Sequence, residues 1–122
     1  AFMPRVQKVK HDLLAFLVEQ KTARRSVAAY GAAAKGNTFL NYCGVRGTDL
    51  IEFVVDVSPH KQGKFLPGSR LPILPPAQLK EARPDRVLIL PWNIRSEIVA
   101  GHAYVREWGG RFVVAIPALE VL

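Results

Sequence analysis

The sequence is short of cysteine, of acidic residues and of long apolar runs, and each shortage excludes something. With one cysteine, Cys43, among 122 residues, no internal disulfide can form, and a cytoplasmic setting is the simplest reading. No apolar run nears the roughly 20 residues that span a bilayer, and no signal-peptide pattern opens the chain, so no membrane role is expected. His11, His60 and His102 make no H-x-x-x-H pair and no Cys/His spacing suits zinc, so no metal site is expected. A G-x-S-x-G nucleophile elbow is missing too, and nothing supplies a complete acid–base pair. The expectation is a binding domain with no catalytic residue of its own.

Acidic residues number 10 against 17 Lys+Arg, for a net charge of +7. Such a surface recruits phosphate. The cations are scattered, however, and cluster only at Lys8/Lys10/His11, Arg24/Arg25 and Lys61/Lys64. There is no arginine-rich arm and no aromatic signature of an RNA-binding sheet, so nucleic acid is not the expected partner. A nucleic-acid binder would show affinity falling steeply with salt. A phosphorylated small ligand accounts for the charge equally well. Apolar residues at 49% and charged residues at 22% describe a globular chain, and the length suits one domain of roughly 100–150 residues.

From Pro4 to about Lys21 the sequence predicts an amphipathic helix, with Val6, Val9, Leu13, Phe16, Leu17 and Gln20 on one face. The run 26–30 reads as a strand, followed by a small-residue turn and a helix that stops at Gly44. Further strands are expected at 51–57, at 71–74 (a short edge strand, because Pro72 removes a donor), at 86–90 and at 111–116. A brief helix follows Pro75-Pro76. A longer one is expected from Asn93, as its cap, to about Trp108, with Ile94, Ile98, Val105 and Trp108 as its apolar stripe. The alternation predicts an α/β, Rossmann-like, doubly wound sheet of about five mostly parallel strands, residues 26–122, behind a leading helix, residues 1–22.

Ligands of such sheets bind beyond the carboxyl ends of the strands, where strand order reverses. Gly31–Thr38, Asp56–Gly63, Pro91–Arg95 and Pro117–Leu119 should reach that edge. Gly31 and Gly36 let backbone approach a ligand, the next helix start offers free N–H groups, and Lys35, Asn37 and Thr38 add a charge and polar groups. The phosphate loop G-x-x-x-x-G-K-[ST] is not matched, since Asn37 stands where Lys is required, and NTP hydrolysis is not expected. Nor is G-x-G-x-x-G matched, because Ala33 stands where its second glycine belongs. Asp56 lies where a ribose-binding carboxylate would, with Lys61 for phosphate and Gln62 for hydroxyls; the same stretch also reads as an ordinary solvated loop. Trp92 suits either stacking on a ring or core packing, and Asn93 either a contact or a cap. Cys43 reads as buried packing.

The blocks Ala29-Tyr30-Gly31-Ala32-Ala33-Ala34-Lys35-Gly36-Asn37-Thr38, Leu40-Asn41-Tyr42-Cys43-Gly44, Asp56-Val57-Ser58-Pro59-His60-Lys61-Gln62-Gly63, Leu66-Pro67-Gly68, Leu88-Ile89-Leu90-Pro91-Trp92-Asn93 and Tyr104 to Phe112 together carry a resemblance. The chain resembles the C-terminal domain of bacterial sugar C-methyltransferases. That resemblance implies a three-part protein with an N-terminal zinc-binding piece and a central domain holding S-adenosylmethionine. It also implies a nucleotide-linked deoxysugar, commonly a dTDP-4-keto sugar, as substrate. The family's catalytic Tyr, Glu and His belong to the central domain, and no segment here matches them. The missing initial Met then fits a fragment that needs the rest of its polypeptide as partner. A free-standing nucleotide- or CoA-binding regulatory module is the alternative.

Overall fold

Short apolar runs such as Val27–Tyr30 and Val87–Ile89 have no polar face, so they are stable only in a sheet covered on both sides. A computed structural model of the chain describes residues 2–122, with side chains from residue 5 onward; Ala1, where the sequence starts, lies outside the described residues. Helix α1 (Phe2–Thr22) leads into β1 (Val27–Tyr30), α2 (Ala34–Cys43), β2 (Val54–Val55) and β3 (Ile73–Leu74). There follow α3 (Gln78–Ala82), β4 (Arg86–Ile89), α4 (Arg95–Gly101), β5 (Arg111–Val114) and β6 (Glu120–Val121). The strands form one six-stranded sheet in the order β3-β2-β1-β4-β5-β6. All neighbours are parallel except β5 and β6. This is the strand order of the doubly wound dinucleotide-binding folds, and its direction reverses between β1 and β4.

Alternation along the strands divides the core. Val27, Ala29, Val54, Leu88 and Val113 meet Leu13 and Leu17 of α1 and Leu40 of α2. Ala28, Val55, Val87, Ile89 and Phe112 face the other way, against Leu79 of α3, Ile98 of α4 and Val105. On α1 the stripe Leu13, Phe16, Leu17 and Gln20 is buried as expected. Gln20 leaves its side-chain oxygen unpaired, which costs about 1–3 kcal/mol. Between β2 and β3 the chain doubles back and hydrogen-bonds along β3, where Gly63 N–H donates to Ile73 O and Ile73 N–H to Lys64 O. That loop covers the sheet edge, which Pro72 keeps short. Among the described residues no helix is long and apolar enough to cross a membrane.

Three expectations need correction. The sheet has a sixth strand, because the chain turns after Pro117 and pairs Glu120 and Val121 antiparallel with β5. Within 51–57 only Val54–Val55 is laddered strand, although Ile51 and Phe53 are buried. The helix expected over 93–108 is broken: a 3-10 turn (Trp92–Ile94), then α4, then a second 3-10 segment (Ala103–Trp108). His102, at φ −131°, interrupts it. Asn93 is therefore not a cap; Ile94 occupies that position without a side-chain bond, and Ile94 is exposed rather than in the stripe.

Cys43 packs in the α1/α2 core, and burial pushes its thiol up to about 11, only partly countered by the charge of Lys10. It should stay unmodified by a thiol reagent at pH 8 in the folded protein and react fully once denatured. Fast labelling in native buffer would contradict that packing.

Candidate functional site

The reversal point is built by two tight approaches. Gly31, just past β1, has φ +99° and lies so close to β4's end that a Cβ there would sit 2.6 Å from Pro91 Cδ. One turn on, a Cβ at Gly36 would sit 2.9 Å from Leu90 Cβ. Both glycines thus let the β1–α2 turn press against the end of β4. Gly31 N–H continues the ladder by donating to Val55 O at 2.8 Å. Between turn and strand end lies a cleft of about 490 Å³, within the usual range of small-ligand sites. One wall is Gly31, Ala33, Ala34, Lys35 and Gly36; the other is Leu90, Pro91, Trp92 and Asn93.

Helix α2 starts in this cleft without any cap. Ala33 occupies the capping position and has no side-chain oxygen to offer. Asn37 N–H donates to Ala33 O at 3.1 Å, while the N–H groups of Ala34, Lys35 and Gly36 find no acceptor among the described residues. Donors at a helix start carry the positive end of the macrodipole, so an acid is favoured there and a cation costs about 0.3–1 kcal/mol. This helix has no acid in its first turn and places Lys35 there. Uncapped N–H groups beside a lysine are the chemistry that suits an anion.

Of the residues singled out in the sequence, Gly31, Lys35, Gly36, Trp92 and Asn93 line this cleft. The rest do not. Asn37 is turned away: its amide donates to Pro67 O at 2.9 Å and its oxygen accepts from Ser69 Oγ at 3.0 Å, pinning the 66–70 loop to α2. Thr38 is exposed on the next part of the helix. Asp56 serves the backbone, with Oδ2 accepting from Ala32 N–H at 2.7 Å and Oδ1 from Ser58 N–H at 2.8 Å. Gln62 Nε2 donates to Asp56 O at 2.8 Å, and Lys61 Nζ reaches Ala32 O at 3.4 Å. These three brace the turn rather than line the cleft. Asp56 also acts on Tyr30, whose phenol is pushed up first by burial and then by that carboxylate.

Ala33, Ala34 and Pro91 fall within the segments expected at this edge without being singled out as contacts, and Leu90 lies just before one of them. For Ala33 the further signal is that no Ser, Thr, Asp or Asn stands at the cap position of the helix. Among the described residues no three His, Cys, Asp or Glu side chains gather as a metal would require.

The family profile described as "C-methyltransferase C-terminal domain" matches residues 1–117. The C-methyltransferase NovU of Streptomyces niveus is 45% identical over 98 residues, covering 80% of this chain. Those residues are 23% of NovU, so the chain spans under a quarter of that relative's length. By the extent of the profile match and the identity to NovU, this chain belongs to the C-methyltransferase C-terminal domain family.

Proposed function

We propose that the chain is the nucleotide-sugar-binding C-terminal domain of an S-adenosylmethionine-dependent C-methyltransferase, acting on a dTDP-linked keto-deoxysugar. On this reading residues 1–122 are one domain, with residues 1–22 as its leading segment and 26–122 as the α/β core. The observation that carries this reading is the uncapped start of α2, with Lys35 in its first turn, opening into the β1–β4 cleft. A diphosphate supplies the charge that those N–H groups and Lys35 lack. Trp92, 40% exposed, presents a ring for a base or sugar, and Asn93 offers both donor and acceptor to hydroxyls.

The cleft does not fit the methyl donor. The sulfonium of S-adenosylmethionine is a cation, and this cleft is lined by Lys35 and free N–H donors. The carboxylate expected for ribose hydroxyls, Asp56, is already taken by two backbone amides. We therefore assign the methyl donor and the proton transfer to the remainder of the polypeptide, and to this chain the holding of the substrate's diphosphate end.

Calorimetry with dTDP and with thymidine tests the assignment. dTDP should bind and thymidine should bind far more weakly, since the phosphates carry the recognition. Lys35→Gln should weaken dTDP binding roughly five- to tenfold, about 1 kcal/mol for one exposed charge, and should leave the melting temperature unchanged or slightly higher. Equal affinity for thymidine and dTDP would refute the phosphate role.

A further inference from the structure

The opposite, amino edge of the sheet holds a second concentration of positive charge. Register pairing sets Arg86, the first residue of β4, beside Arg111, the first residue of β5. Paired residues of neighbouring strands project to the same face, and like charges placed so are unfavourable. Arg86 is only partly exposed, and its Nε is buried without a partner. Its Nη1 donates to Asp85 O at 2.8 Å, a carbonyl and not a carboxylate. The Asp85 carboxylate is engaged elsewhere, accepting from Ser26 N–H at 2.8 Å. Arg111 Nε reaches Leu122 O at 3.3 Å and is otherwise exposed. Arg86 N–H donates to Ser26 O at 3.0 Å and Arg86 pairs with Val27, which brings Arg25, just before β1, to the same edge. Burial, then Arg25, weaken the hold of Arg86 on its proton, as does Arg111, with Asp85 opposing.

We propose that Arg25, Arg86 and Arg111 form a second oxyanion site, for a phosphate-type dianion. Guanidinium forks fit such an ion with several N–H donors, and its charge relieves their mutual repulsion. The site lies roughly 13 Å along β4 from the cleft, taking about 3.3 Å per residue from Arg86 to Leu90. It does not depend on what the cleft binds.

Inorganic phosphate, titrated at constant ionic strength against chloride, tests it through the arginine Nε–Hε resonances. The Arg86 and Arg111 signals should shift saturably. Arg86→Met and, separately, the exposed Arg111→Gln should each weaken that response tenfold or more, while Lys35→Gln leaves it intact. Linear shifts shared by all exposed arginines, a response that survives both arginine variants, or one lost only in Lys35→Gln would each overturn the site.

Discussion

Replacing Gly31 by alanine should lower the stability of the protein by about 3 kcal/mol, and its melting temperature by roughly 10 °C. Two costs combine. At φ +99° any L side chain is strained, at about 1 kcal/mol or more, and the new Cβ would meet Pro91 Cδ at 2.6 Å. Pro91 lies two residues past the end of β4 and its ring has little freedom to retreat, so relief requires separating β1 from β4, the central pair of the sheet. Gly47 provides the comparison: its φ is +62°, yet an added Cβ would find nothing within 4 Å. Gly47→Ala should therefore cost only about 1 kcal/mol, the backbone part alone. Thermal denaturation of both variants measures the difference. Equal losses would mean that the approach to Pro91 is not tight.

The second large effect belongs to Asp56. Its carboxylate ties the β1–α2 turn, through Ala32 N–H, to the loop after β2, through Ser58 N–H. Both bonds are charge-assisted and partly buried, and removing the acceptor strands two amides. Asp56→Ala should cost about 2–4 kcal/mol, and Asp56→Asn about half as much, since one oxygen survives. The same variants should weaken ligand binding, because Ala32 adjoins the residues that carry the free N–H groups of α2. Chemical denaturation together with dTDP affinity reads both. A stable Asp56→Ala protein with unchanged affinity would show that the brace is dispensable.

How much of this was legible in the sequence follows the range of the interactions involved. Local signals were read well. The apolar run around Leu88 is a strand, Gly44 ends α2 in the left-handed conformation, and the Leu13–Leu17 stripe is buried. Long-range pairing was not legible. The alternation of elements puts Gly31 and Pro91 at one edge, but nothing in the residues near Gly31 announces the close approach that creates the cleft. Polar side chains raise a related ambiguity. Asn37 and Asp56 stand at strand or helix ends, where unpaired backbone is plentiful, and the sequence suggests ligand contacts for both. In the folded chain that same backbone claims them, through Pro67, Ala32 and Ser58. Asn93 looked like a cap before a long apolar stripe, but His102 breaks that stripe and the chain enters α4 at Ile94 instead. The two-residue β6 has too few residues to show a period and exists only through β5.

The central claim is that the uncapped start of α2 takes the diphosphate of the substrate. The most direct measurement is an amide-resolved NMR titration of the protein with dTDP, including the indole signal of Trp92. The account predicts saturable shifts centred on Ala34, Lys35, Gly36 and the Trp92 indole, reduced in Lys35→Gln. Unmoved cleft amides, or saturable shifts confined to α1 or to the Val57–Gly63 loop, would contradict it.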